Sequence, residues 1–214
     1  MIKGIIFDFD GVIVDTESKK FKDIQRILDK YGYSIKKNIF PQFVGKKTHF
    51  FLNEKFPDIP QNALDKIMKE RRSVQYKNIK ENRIIAGLRD LLVFLKQKNL
   101  KIGIATGSER KFVKKILNAN KISKYFDFLI TGEDFRSSKP NPEVFLNAIQ
   151  KTKLSKKEIL IVEDSVAGIK AAKAINCKVF AITTYLKKPQ LRGADKIFKN
   201  HFEILKYLKS KSFY

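Results

Sequence analysis

Residues 5–18 read IIFDFDGVIVDTES: an apolar run stops at two carboxylates, Asp8 and Asp10, with Phe9 between them. A carboxylate is expensive to desolvate unless something compensates it, and two acids this close make each other harder to ionise. Side chains two residues apart in an extended segment project to one side. The pair can therefore face one reacting centre, as nucleophile, acid–base group or metal ligand. Polar residues of a matching kind recur further on. Thr106-Gly107-Ser108 follows LKIGIA, Lys139 lies in SSKP, and Glu163-Asp164 ends ILIV.

Those places must be brought together by the elements that carry them. Five short apolar runs read as strands: KGIIFDF (3–9), LKIGIAT (100–106), DFLITG (127–132), EILIVED (158–164) and KVFAIT (178–183). They are continuous rather than alternating, which suits strands covered on both faces. Helical periodicity fills the intervals at 87–99, 109–120, 141–152 and 165–176. Alternation of strand and helix predicts a parallel sheet between two helical layers, a Rossmann-like α/β core. In such sheets ligands bind beyond the carboxyl ends of the strands, at the switch in strand order. Asp8 and Asp10, Thr106, Lys139, and Glu163 with Asp164 would converge there.

The first strand breaks the rhythm. Residues 16–82 hold no convincing strand but several amphipathic runs, among them SKKFKDIQRILDKYG and a basic helix expected over 66–83. The expected organisation is an α/β core of residues 1–15 and 83–214, with an inserted helical cap of residues 16–82.

Taken singly, each polar position has a mundane account. Asp10-Gly11 is a common turn, Thr106-Gly107-Ser108 could cap the helix near Glu109, and Glu163-Asp164-Ser165 could cap the next. Their conjunction, each at the end of an expected strand, is harder to dismiss. Competing chemistries lack their parts. The chain has no G-x-x-x-x-G-K-[ST], G-x-G-x-x-G or G-x-S-x-G motif. Its one cysteine, Cys177, lacks an arginine six residues later, and there are only two histidines, His49 and His201. Cys177 reads as a buried, inert core thiol.

DFDGVIVDTE, IATGS, SSKPNPEVF and IVEDSVAGIKAA resemble, in order, the four motifs of the haloacid dehalogenase superfamily, and within it the β-phosphoglucomutase-like phosphatases and mutases. The resemblance runs from Asp8 to about Ala172 and places 16–82 as the helical cap. It implies that Asp8 is the nucleophile that becomes an aspartyl phosphate, and Asp10 the acid–base group. It implies Mg2+ held by Asp8, Asp164 and the backbone carbonyl of Asp10, with Glu163 either a further ligand or a support behind them. Thr106, with the backbone around Gly107 and Ser108, would hold phosphoryl oxygens, and Lys139 would neutralise charge beside the nucleophile. Mg2+ favours a few oxygen ligands, and phosphoryl transfer depends on such positioned charges. Asp10 also argues for phosphate esters over halides, because a departing halide needs no proton.

The chain departs from the group in one place. The mutases carry a cap loop of the form Gly-x-Ser-Arg whose arginine holds a distal phosphate. The matching stretch here is VGKKTHF: Gly45 is kept, and Lys46 and Lys47 stand nearby as point charges without the arginine fork. Gly45, Lys46 and Lys47 are the candidate substrate contacts of the cap. The departure favours a phosphatase, with a sugar phosphomutase or pyrophosphatase as the alternative.

The charge balance is unusual: 45 Lys and Arg against 22 Asp and Glu, formally +23. A basic nucleic-acid-binding or regulatory protein on an inactive scaffold would explain it. The lysines spread along the whole chain, no nucleic-acid-binding motif is present, and the acids and Lys139 are intact, so an enzyme is expected. The expected partner is a small anionic phosphorylated substrate, not nucleic acid or membrane. No signal peptide or membrane span is seen, so a cytoplasmic monomer is expected.

Overall fold

Each of the five continuous apolar runs forms a strand, and all of them run parallel. The computed structural model describes residues 1–77, 79 and 82–210. The strands are β1 (Gly4–Phe7), β2 (Lys101–Ala105), β3 (Phe128–Ile130), β4 (Ile159–Glu163) and β5 (Lys178–Ile182), with a short edge strand β6 (Lys196–Phe198). Their order is β3-β2-β1-β4-β5-β6, with parallel pairing throughout. The order reverses beside β1: β2 and β3 extend to one side, β4 to β6 to the other. The crevice at this reversal is the expected ligand position for an open parallel sheet.

The period of two along β1 explains why its run is apolar throughout. Ile5 and Phe7 enter the core beneath α5 (Leu88–Gln97), α6 (Arg110–Ala119) and α9 (His201–Ser210). Ile6 points the other way, into the core under α7 (Glu143–Thr152) and α8 (Val166–Lys173). Cys177 lies in this second core, and burial pushes its thiol up to about 11, as befits an inert side chain.

Between β1 and α5 the described residues form the α-helices α1 (Glu17–Lys30), α2 (Phe40–Phe43), α3 (Thr48–Lys55) and α4 (Gln61–Lys77). Apolar positions at Phe21, Ile24, Ile27 and Leu28 give α1 one buried stripe, spaced as a helix requires. With Phe43, Phe51, Leu52, Leu64 and Ile67 they build a third core, distinct from the two flanking the sheet. The chain leaves and re-enters the sheet region along paired segments: Val14 bridges Ile84, and the Ile85 N–H donates to the Ile13 carbonyl at 2.9 Å. The basic helix expected over 66–83 corresponds to α4, but it starts earlier, at Gln61, runs to Lys77, and leaves Asn82 and Arg83 outside any helix. Residues 78, 80 and 81 of that stretch, and 211–214 of the expected core segment, lie outside the described residues. Among the described residues no helix is long and apolar enough to cross a membrane.

Candidate active site

Asp8 is the first residue beyond β1, and its backbone N–H is still tied to the Val162 carbonyl of β4 at 2.9 Å. Its side chain is buried and accepts a hydrogen bond from Lys139 Nζ at 2.7 Å. The same ammonium reaches Glu163 Oε1 at 2.5 Å, so Lys139 bridges two carboxylates. Burial alone would strip the Lys139 proton, but Asp8 and Glu163 outweigh it and hold the ammonium above its ordinary range. For Asp8, burial dominates and lifts the carboxyl to about 7 against the pull of Lys139, with Glu163 and Asp10 adding repulsion.

The other oxygen of Glu163 is also used. Oε2 accepts from the N–H groups of Asp164 and Ser165 at 2.9 and 3.0 Å, and from the Ser165 hydroxyl at 2.9 Å. Ser165 in turn caps α8, accepting from the Gly168 N–H at 3.0 Å. The helix-cap account of this stretch therefore holds for Ser165, while Glu163 and Asp164 beside it belong to the acidic cluster. Asp164 differs: it is fully buried, and neither carboxylate oxygen has a hydrogen-bond partner. Burial, then Glu163 and Asp8, push its carboxyl well above the usual carboxylate range. Gly11 (φ 77°) is needed beside it, because a Cβ there would stand 1.9 Å from Asp164 Oδ2.

Asp10 faces the same cleft with a different set of partners. It accepts from Lys20 Nζ at 2.6 Å, from Ser108 Oγ at 2.5 Å and from the Thr16 hydroxyl. Burial pushes its carboxyl up, but Lys20 and these hydrogen bonds prevail and hold it below the ordinary range. The two acids that adjoin in sequence are thus separated electrostatically, Asp8 raised and Asp10 lowered.

Thr106, buried at the end of β2, lines the cleft with Gly107 and Ser108, and its Oγ1 accepts from the Ser108 N–H at 3.1 Å. Gly45 lies on the opposite, helical wall (φ 78°), where a Cβ would meet Ser165 Oγ at 2.3 Å, so only glycine lets that loop approach the sheet. Lys46 and Lys47 line the cleft too, but their ammonium groups are engaged elsewhere. Lys46 pairs with Glu54 at 2.5 Å. Lys47 donates to the Gly132 carbonyl at 2.9 Å and lies 3.9 Å from the Phe135 ring centroid. The two ammonium groups expected to grip a distal anion thus rest on a neighbouring carboxylate and on a carbonyl over an aromatic face.

The haloacid dehalogenase-like hydrolase model matches residues 5–182. The chain belongs to this family. A phosphorylated carbohydrates phosphatase of Thermotoga maritima is 28% identical to this hydrolase over 178 residues, covering 81% of each chain. A β-phosphoglucomutase structure from Clostridium difficile superposes with a TM-score of 0.86 at 24% identity, covering 98% of this chain and 96% of that one. A Pseudomonas syringae hydrolase structure gives 0.89 at 20% identity, covering 97% and 98%. These two structures share the hydrolase's fold, helical cap included.

The cluster suits a hard dication. Oxygens of Asp8, Glu163 and Asp164 lie within 4.8 Å of one another, and both Asp164 oxygens lack any other partner. All-oxygen, anionic donors of this kind match Mg2+. Glu163 has both oxygens engaged already, Oε1 by Lys139 and Oε2 by Asp164 and Ser165.

Sequence reasoning missed four side chains near Asp10 in this hydrolase. Thr16 bonds Asp10 just before α1, Glu17 and Lys20 line the cleft from the start of α1, and Arg71 lines it from α4. One helical turn separates Thr16 from Lys20, and that spacing, just after Asp10, could have found those two; Arg71 has no such signal.

Of the two histidines, His49 is exposed and His201 is fully buried at the start of α9. His201 Nε2 donates to the Val12 carbonyl at 2.6 Å, holding the loop that carries Asp10, while Nδ1 has no partner. Burial lowers its pKa from 6.5 to about 4. A folded-state value below the unfolded one makes protonation favour unfolding. Stability should therefore be intact above pH 6.5 and fall as pH drops toward 4, by about 3 kcal/mol at most from this group. His201→Gln should flatten that limb: urea unfolding at pH 7 and 4.5 should show a smaller difference than in the native chain. An unchanged difference would contradict the assignment.

Proposed function

We propose that this hydrolase is a Mg2+-dependent phosphatase that cleaves a small phosphate ester through an aspartyl phosphate on Asp8. The observation that carries the reading is the Lys139 ammonium bridging Asp8 and Glu163 beside the unpartnered carboxylate of Asp164. One Asp8 oxygen attacks phosphorus while the bond to the leaving oxygen breaks, and Asp10 delivers the proton that oxygen needs. Asp10, now a carboxylate, takes a proton from water, which attacks the phosphorus of the acyl phosphate. Inorganic phosphate leaves and Asp8 is restored. Lys139 and the Thr106 hydroxyl, with backbone N–H groups of 107 and 108, offset charge on the phosphoryl oxygens. Mg2+, held by Asp8, Asp164 and the Asp10 carbonyl, would supply further charge neutralisation.

The partners of Asp10 bear on both halves of this cycle. With Lys20 against it, Asp10 is ionised, as the water-activating step requires. The acid step needs the proton, hence an Asp10 less tightly bound by Lys20. Lys20 belongs to α1, so movement of residues 16–82 over hinges near 13–15 and 83–85 would couple cap position to the Asp10 proton. Closure also excludes bulk water, which strengthens the electrostatics around phosphorus. The mutases hold a distal phosphate on an arginine of the Gly45-type loop, and here that loop carries lysines engaged with Glu54, Gly132 and Phe135 instead, which favours water as the acceptor. We place the enzyme in the cytoplasm as a monomer acting on a small anionic phosphorylated substrate.

Hydrolysis of p-nitrophenyl phosphate should need Mg2+, vanish with chelator and return when Mg2+ is restored. Full activity in chelator would remove the metal role.

A further inference from the structure

The cleft between the helical wall and the strand ends encloses about 400 Å³. Asp8 and Thr106 line it with the groups read above as handling the phosphoryl group, so the rest of the space is open to the leaving group. The cations around that space are nearly all taken. Lys20 holds Asp10, Lys46 holds Glu54, Lys47 holds the Gly132 carbonyl, and Arg72 pairs with Glu109 at 2.7 Å. Among the described residues Lys47 and Arg71 line the cleft without a salt bridge; Lys47 spends its ammonium on the Gly132 carbonyl and the Phe135 ring, whereas the half-buried Arg71 leaves Nε without a hydrogen bond. On the same wall Glu17 is only 3% exposed, and its Oε2 has no partner either. Its Oε1 lies 3.6 Å from Lys20, whose ammonium is closer to Asp10.

Glu17 and Arg71 attract each other across this wall, yet Glu17 Oε2 and Arg71 Nε each lack a hydrogen bond, and buried polar atoms left so are costly unless a ligand completes them. A guanidinium offers a planar fork that suits carboxylate or phosphate oxygens. A carboxylate oxygen accepts from hydroxyls. We propose that Arg71 and Glu17 form the leaving-group recognition site, and that the substrate is a hydroxylated phosphate ester with a second anionic oxygen group, carboxylate or phosphate, seated on Arg71. This rests on the phosphatase reading above and adds to it which part of the cap selects the substrate. The selecting cation comes from α4, while the Gly45 loop docks against Ser165 and ties its lysines to other partners.

The test compares matched esters: a hexitol phosphate with a neutral polyol tail, a phosphorylated aldonic acid and a hexose bisphosphate. The native enzyme should show lower KM for one or both doubly anionic esters, and whichever is lower tells carboxylate from phosphate. Arg71→Gln should raise KM for the preferred ester at least tenfold more than for the hexitol phosphate, and Arg71→Lys should recover part of that loss. Equal effects on all three esters, or a native preference for the hexitol phosphate, would overturn the proposal. Calorimetric binding of the same esters to Asp8→Asn protein decides the matter without turnover. There an Arg71-dependent, at least tenfold preference for the doubly anionic ester supports the site, and its absence refutes it. Failure of every ester to be hydrolysed by the native chain would instead count against the phosphatase reading.

Discussion

Asp8→Asn should lose about 10⁴-fold or more of turnover toward every phosphate ester, the scale seen when a nucleophile is removed from a cooperating catalytic group. An amide oxygen cannot form the acyl phosphate, but it can still accept the hydrogen bond from Lys139 that Asp8 accepts at 2.7 Å. The substitution also removes one acid from a buried cluster in which Asp8, Glu163 and Asp164 repel one another. Without metal, the melting temperature should therefore hold or rise while activity disappears. That opposite movement separates a chemical role from a structural one. Near-normal activity, or loss of activity only together with loss of fold, would refute the assignment.

Asp10→Asn should slow hydrolysis by ~10²–10⁴-fold, the usual worth of general acid–base help. It acts at two points, leaving-group protonation and water activation, so the slower of the two sets the observed rate. With p-nitrophenyl phosphate the leaving oxygen scarcely needs a proton. The first half-reaction should then be nearly spared, the second should not, and phosphoenzyme should accumulate. An early burst of p-nitrophenol, stoichiometric with enzyme, is the expected signature, and equal slowing of burst and steady state would argue for a different role.

The strand-end groups were legible in the sequence for a physical reason. Asp8, Thr106 and Asp164 each follow directly on a continuous apolar run, and a parallel sheet must bring such ends together. β6 and α9 were not legible: Lys196–Phe198 is too short to show a period, and lysines interrupt the apolar stripe of α9. The helical wall was legible in extent but not in detail. Arg71 reaches the same cleft as Glu17 and Lys20 only because α4 packs against α1, a tertiary event with no local pattern. Lys46 and Lys47 illustrate the same limit from the other direction. Their place beside Gly45 was apparent, while the direction of each ammonium was set by Glu54, Gly132 and Phe135, which sequence adjacency does not reveal.

The central claim is that phosphorus becomes bound to Asp8, and trapping the phosphoenzyme tests it most directly. Asp10→Asn protein, mixed with Mg2+ and substrate and quenched with borohydride, should yield homoserine in place of aspartate at position 8, because hydride reduces an acyl phosphate to the alcohol. Peptide mass spectrometry should find that change at position 8 and not at 10 or 164. A reduced residue elsewhere, or hydrolysis with no residue reduced at any point of the time course, would contradict the account.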